Sequence, residues 1–236
     1  MTDFVHFDDY VEEYDVGLQR GLVLAGESKE YFAQRRIQWL GHCLQKLPEF
    51  PRAVMDYGCG SGTTTPLLFD LLGATFVVGV DSSAKSLELA RSGYGAARAE
   101  FWAVEQYRPT GQLDLVYCNG VFHHIPPKQR PAALDFIWRS LRPGGLFALW
   151  ENNAWNPGTR LVIARIPFDR DAITLTAAET CHLVEAADFE VLRTDFLFIF
   201  PRVLKWLRGI EPWISRLPLG AQFQVLCRKP REQSIG

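Results

Sequence analysis

Three groups of residues in this chain could do chemistry, and each follows a short apolar run. The first is Asp56-Tyr57-Gly58-Cys59-Gly60-Ser61-Gly62. Glycines at alternate positions permit positive φ and let a ligand lie against the backbone. A helix starting just after them would aim its free N–H groups and positive dipole end at the same place. The second group is Asp81 with Ser82, at the end of the next apolar run. A carboxylate there can accept hydrogen bonds from two neighbouring ribose hydroxyls. The two groups together describe a crevice for a ligand that carries a nucleoside.

The third group is His123-His124, a few residues beyond the apolar run Leu113–Cys118 and Asn119. A neutral imidazole is the side chain best suited to take a proton from a hydroxyl near pH 7. The other reading of the pair has one ring packed or hydrogen-bonded locally while the second lines a pocket. Glu151, Asn152, Asn153, Trp155 and Asn156 follow the next apolar run. Carboxamides can orient an acceptor and Trp155 can stack on a flat one. Asn156-Pro157-Gly158 is also a turn signal, and both roles can hold together. His6, His42 and His182 form no recognisable ligand set with Asp169 and Asp171, so no metal is expected.

The elements that must position these groups can be read from patterning. Strands are predicted at Ala53–Tyr57, Phe76–Val80, Phe101–Val104, Leu113–Cys118 and Leu146–Trp150. Helices are predicted at Thr64–Leu72, at Ser83–Arg91 with Asp81 and Ser82 available as a cap, and at Lys128–Leu141. Arg142-Pro143-Gly144-Gly145 should end the last of these. Strands alternating with helices imply a parallel sheet covered on both faces. Beyond Ala177 come a helix (Ala177–Ala187), a strand (Phe189–Phe200), an amphipathic segment and a final strand (Ala221–Arg228).

A nicotinamide reader shares this plan, but its fingerprint is G-x-G-x-x-G/A. Counted from Gly58, the third position here is Thr63 and the glycine falls at 62. A Tyr-x-x-x-Lys pair is also missing. The pattern D-x-G-x-G-x-G is instead similar to the first motif of class I S-adenosylmethionine-dependent methyltransferases, and Asp81 matches their ribose-binding acid. Leu113 to Asn119 with Val121-Phe122-His123-His124-Ile125-Pro126 resembles their fourth strand and its loop. Leu141-Arg142-Pro143-Gly144-Gly145-Leu146-Phe147 resembles the approach to their fifth.

The resemblance implies a Rossmann-like α/β fold with a seven-stranded sheet, its last strand antiparallel, and helices on both faces. It implies S-adenosylmethionine as cofactor. The backbone around Gly58, Cys59, Gly60 and Gly62 would meet the methionine end, with Asp56 ordering the turn. Asp81 and Ser82 would meet the ribose, and Asn119 the methionine amine. Members often place an Asp after the third strand for the adenine amino group; Glu105 stands nearest to that position. The implied reaction is methyl transfer to a small-molecule acceptor, chiefly at oxygen. The alternatives are a nicotinamide-dependent reductase or epimerase, and a catalytically silent binding module on the same fold.

Bulk properties narrow the setting. The chain has 236 residues and a net charge of −2, which gives no general pull toward nucleic acid. Its five cysteines include no C-x-x-C pair, as expected of reduced thiols in a cytoplasmic enzyme. Residues 1–50 read as a helical lid, 51–152 as the cofactor-binding core, and 153–236 as the substrate side with the C-terminal strands, all within one domain. In the lid, Tyr14, Tyr31, Arg35 and Arg36 are candidates to reach cofactor or substrate. Between Phe200 and Ala221 lies a C-terminal insertion with Val203, Leu207, Ile210, Ile214 and Leu217 at helical spacing, beside Trp206 and Trp213. Pro212 and Gly209 should split it into two short helices. With Arg202, Lys205, Arg208 and Arg216, residues 202–217 fit either a peripheral membrane contact for a lipid-linked acceptor or a helical cap or dimer contact.

Overall fold

The computed structural model describes residues 26–47, 50–164 and 172–231, and every structural statement below concerns those residues. Tyr14, His6, Asp169 and Asp171 lie outside them.

Seven strands form one sheet in the order β3-β2-β1-β4-β5-β7-β6. They are β1 (Ala53–Tyr57), β2 (Phe76–Asp81), β3 (Ala99–Ala103), β4 (Leu113–Asn119), β5 (Leu141–Asn152), β6 (Glu190–Leu197) and β7 (Gln222–Arg228). The first five pair in parallel, and β7 runs antiparallel to both β5 and β6. The antiparallel last strand is thus present as expected. Helices α1 (Lys29–Leu44), α2 (Thr65–Leu72), α3 (Ala84–Tyr94), α4 (Arg130–Ser140), α5 (Pro157–Ile163) and α6 (Ala177–Glu185) connect and cover the sheet.

The strand residues alternate between two apolar layers, as a side-chain period of two requires. Val54, Val77, Leu115, Ala148 and Leu226 pack with α1 and α2 through Ile37, Leu40 and Leu68. Met55, Val78, Val116, Phe147 and Phe223 pack on the other side with Leu134 and Ile137 of α4 and Val184 of α6. At the amino ends, the Asp114 carboxylate accepts from the backbone N–H of Arg52 and Ala53 and from the Arg142 guanidinium. That one side chain aligns the starts of β1, β4 and β5.

Two local expectations change. Ser83, not Asp81 or Ser82, caps α3, its hydroxyl accepting from Ser86 N–H. Asp81 is drawn away because its carboxylate accepts from the N–H groups of Gly60 and Ser83, each at 2.8 Å. Helix α4 ends at Ser140, before Arg142-Pro143-Gly144-Gly145, which already belongs to β5. The glycines absorb a register shift of β4 against β5 between Leu113 and Leu115.

The insertion is a 3-10 helix, Arg202–Ile210, followed directly by the one-turn α7 (Glu211–Ile214). Gly209 lies inside the first piece, whose irregular residue is Leu204, and Pro212 sits in the first turn of the second. The chain kinks at Leu204 rather than at Gly209 or Pro212, and Ile210 and Glu211 keep helical backbone where the 3-10 piece passes into α7. Buried Glu211 accepts from the N–H groups of Ile199 and Phe200 and so holds the insertion to the end of β6. No helix among the described residues is long and apolar enough to cross a membrane.

Asp195 on β6 joins these parts. Fully buried, it accepts from Arg193 at 2.6 and 2.8 Å, from Trp39 Nε1 of α1 at 3.2 Å and from the hydroxyl of Ser215 at 3.4 Å. Removing one partner of a buried charge network leaves the others desolvated and unpaired. Asp195→Ala is therefore expected to cost about 3 kcal/mol of stability, read from urea unfolding.

Candidate active site

The sheet brings the carboxyl ends of β1, β2, β3, β4 and β5 to one edge, and β7 begins there too, since Gln222 pairs with Asn152. The sequence-predicted groups converge on this edge. Asp56 and Gly58–Gly62 leave β1, Asp81 and Ser82 end β2, Glu105 follows β3, Asn119 ends β4, and Asn152 ends β5. Ligands of open α/β sheets bind in the crevice beyond these ends.

The turn after β1 needs its glycines for different reasons. Gly58, Gly60 and Gly62 have φ of 77°, 51° and 78°. A Cβ on Gly58 would strike Val121 Cγ2 at 2.2 Å, and one on Gly62 would meet Tyr94, Ala90 and Phe101 at 3.0 to 3.2 Å. A Cβ on Gly60 would meet nothing within 4 Å. Gly58 and Gly62 thus answer to packing, whereas Gly60 faces open space beside Asp81. Gly58 and Cys59 donate to Val80 O, which clamps the turn against the end of β2. The Cys59 thiol packs inward with Leu87, Ala90 and Phe101, so only its backbone is turned to the crevice. Burial raises that thiol far above the usual range and so disfavours the thiolate.

Asp56 forms the floor. It is 3% exposed, and its Oδ2 has no hydrogen-bond partner. Desolvation, and then the charge of Asp81, push its carboxyl up to about 7, while Arg36 of α1 pulls the other way. A buried orphan carboxylate oxygen beneath an open glycine turn fits a ligand with positive charge and donors. Arg36 also donates to the Tyr117 hydroxyl at 3.3 Å and to Gln222 Oε1 at 2.9 Å, and Gln222 Nε2 donates to Asn152 Oδ1 at 3.1 Å. Asn152 is thereby tied to α1 through one polar chain. Arg35, by contrast, reaches only Gln38 on an exposed face.

On the β4–β5 side, buried His123 places Nδ1 2.6 Å from Glu151 Oε2. The other Glu151 oxygen accepts from Phe122 N–H at 2.9 Å. The carboxylate therefore fixes both the loop and the ring. His124 lies against His123, with ring centroids 4.1 Å apart. Arg130 locks the loop from below by donating to the carbonyls of Phe122, Ile125 and Ile173.

The remaining candidates have contacts or exposure of their own. Asn153 donates to the carbonyls of Pro218 and Gly220, and Asn156 caps α5, so both serve the turn. Trp155 is 75% exposed. Tyr31 stacks under the Arg208 guanidinium at 4.9 Å and joins α1 to the insertion. Glu105 is exposed and Asn119 half-buried. The pairings of Glu151 with His123 and of Gln222 with Asn152 have no signal in local sequence, because strand register alone creates them. Among the described residues no cluster of three or more His, Cys, Asp or Glu could hold a metal ion.

Comparison with known proteins gives the class. Residues 54–145 match the methyltransferase domain family. The chain is similar to trans-aconitate 2-methyltransferase of Deinococcus radiodurans, 31% identical over 72% of this chain and 74% of the relative. It is likewise similar to that of Variovorax paradoxus, 29% identical over 78% of each. A solved methyltransferase from Haloferax volcanii, in complex with its Trm112 activator, shares the fold with a TM-score of 0.64 at 20% identity, covering 95% of this chain and 98% of that one. The chain belongs to the class I S-adenosylmethionine-dependent methyltransferases. It is an S-adenosylmethionine-dependent methyltransferase with a Rossmann-like sheet, and S-adenosylmethionine is its methyl donor.

The glycine geometry predicts contrasting variants. Gly60→Ala should cost only the left-handed strain of about 1 to 2 kcal/mol yet weaken S-adenosylhomocysteine binding by about tenfold or more. Gly62→Ala adds overpacking and should cost about 3 kcal/mol. Urea unfolding and calorimetric titration separate the two effects.

Proposed function

We propose that this enzyme methylates an oxygen of a small-molecule acceptor, with His123 and Glu151 on the acceptor side of the crevice. The observation that carries this reading is the 2.6 Å contact between the buried His123 Nδ1 and Glu151 Oε2. A carboxylate on Nδ1 holds the ring so that Nε2 is the acceptor nitrogen, the arrangement a general base requires. Glu151 is then a positioning residue that acts through His123, and His124 stacks beside it. Tyr31, Asn152 and Trp155 border the same side in this reading, with α1 as the described part of the lid, and Tyr14 lies outside the described residues. Reduced thiols fit a cytoplasmic setting.

On the cofactor side, Asp56, Asp81, Ser82, Glu105, Asn119 and the backbone of Gly58, Cys59, Gly60 and Gly62 hold S-adenosylmethionine. When bound, the cofactor supplies an electrophilic methyl group on a sulfonium that departs neutral. The protein's part is alignment of the acceptor oxygen and exclusion of water. Asp81 does double duty in this reading, since its carboxylate accepts from the N–H groups of Gly60 and Ser83 and so sets the turn, and a carboxylate is also the group that accepts from two neighbouring ribose hydroxyls. The relatives are named for trans-aconitate, whose carboxylate arrives already ionised and needs no base. A hydroxyl acceptor does need one, which makes the histidine the discriminating residue.

Glu151→Gln should lower kcat by about a hundredfold, the scale of a general base, with S-adenosylhomocysteine affinity unchanged. Unchanged kcat in both Glu151→Gln and His123→Gln would contradict the hydroxyl reading and favour an ionised acceptor. Asp56 gives a second test. Its raised carboxyl favours the protonated form in the folded state, so its contribution to stability is full below the ordinary carboxylate range and is lost as pH rises through about 7. Asp56→Asn should therefore gain stability relative to the native chain as pH rises from about 4 to 8. Binding of the cationic cofactor should also release a proton near pH 7 in the native chain and not in Asp56→Asn. Titration in buffers of different ionisation enthalpy would detect it.

A further inference from the structure

The insertion leaves the sheet after β6 and returns at β7, and both junctions lie at the carboxyl edge because Leu197 and Asn152 each pair with Gln222. It therefore stands beside the acceptor side of the crevice. Its polar anchors point inward. Glu211 is buried on the N–H groups of Ile199 and Phe200, and Arg208 binds Glu27 at 2.8 Å and Phe200 O at 3.1 Å. Arg202 donates to Gly26 O from an exposed position.

What stays outside is apolar and basic. Val203 is 83% exposed, Trp206 74% and Trp213 88%, and Ile210, Leu217 and Leu219 are exposed beside them in the chain. The segment after β5 is laced to the same strip. Asn153 donates to the carbonyls of Pro218 and Gly220, Asn156 to Leu219 O and Thr159 to Ala221 O. These bonds hold the segment bearing exposed Trp155 and Leu161 against the insertion. From residue 201 to 221 the only acidic side chain is the buried Glu211, whereas Arg202 and Lys205 are exposed and so is Arg216, whose guanidinium also reaches Asp195 at 3.5 Å and Thr194 O at 3.3 Å.

Large apolar side chains left in water with basic neighbours need a partner that is apolar within and negative at its rim. Tryptophan suits a boundary where one end of the ring is wet and the other dry. A two-fold contact between copies would instead face this strip with itself and set its basic side chains near one another with no exposed acid between them. We propose that residues 201–221 form a membrane-docking surface. Val203, Trp206 and Trp213 seat in the headgroup boundary of an anionic bilayer, Lys205 meets its phosphates, and the acceptor side of the crevice is held beside the interface. The inference concerns where the enzyme works and stands apart from the identity of the acceptor oxygen.

The full chain should be sedimented with vesicles of phosphatidylcholine alone and of phosphatidylcholine mixed with phosphatidylglycerol. Binding is expected to the mixed vesicles at low salt, with a blue shift of tryptophan fluorescence, and to weaken as salt rises. The double variant Trp206→Ala, Trp213→Ala should bind about tenfold more weakly, with S-adenosylhomocysteine affinity unchanged. Lys205→Glu alone should also weaken it, which keeps the test decisive if the double variant does not fold. Failure of the native chain to sediment with anionic vesicles, or equal binding by these variants, overturns the proposal. So does a solution dimer that the same substitutions dissolve in place of any vesicle binding, since the strip then belongs to self-association.

Discussion

The structure depends most on one constraint, the closure of the β1–α2 turn onto the end of β2. Gly58 and Cys59 donate to Val80 O, and Gly60 donates to the Asp81 carboxylate. These bonds place a left-handed backbone, a free helix start and a carboxylate within one crevice. They also explain the rest of the neighbourhood. Because Asp81 is held there, Ser83 has to cap α3. Because Val121 leaves no room for a side chain at 58, the loop after β4 is fixed against the same turn. The negative charge of Asp81 is then a neighbour of buried Asp56, whose carboxyl it helps to raise.

On the acceptor side a second pair plays the equivalent part. Glu151 leaves β5 with one oxygen on the Phe122 backbone and the other on His123, so β5 sets the shape of the loop that follows β4. Burial of both side chains keeps water from competing for these bonds. Helix α1 is linked to the sheet through two further residues, Arg36 bonded to Tyr117 and Gln222, and Trp39 bonded to Asp195. Loss of either would be felt at the crevice through α1 and not only in the core.

The legible part of this arrangement was local. The glycine turn, Asp81 and the alternation of strands and helices each occupy a few adjacent residues, and pattern and backbone chemistry agree there. Asp81-Ser82-Ser83 offers three cap-capable residues in a row, and only the tertiary bond from Gly60 to Asp81 selects Ser83. Glu151 and His123 are far apart in the chain, and their meeting depends on β4 and β5 being neighbours with a register shift near Leu113. The chain Asn152–Gln222–Arg36–Tyr117 depends likewise on the antiparallel register of β7. In the insertion, helical spacing was visible, but the 3-10 geometry after Pro201 and the inward turn of Glu211 were not, because the anchor is the backbone at the end of β6.

The most direct test of the central claim is calorimetric titration of the purified chain with S-adenosylhomocysteine, repeated with Asp81→Ala and with NADH and NADPH. The account predicts saturable binding of S-adenosylhomocysteine alone and its loss in the variant, because the turn and the ribose site share that carboxylate. Unchanged affinity in Asp81→Ala, or binding of a nicotinamide nucleotide in its place, would contradict the crevice described here.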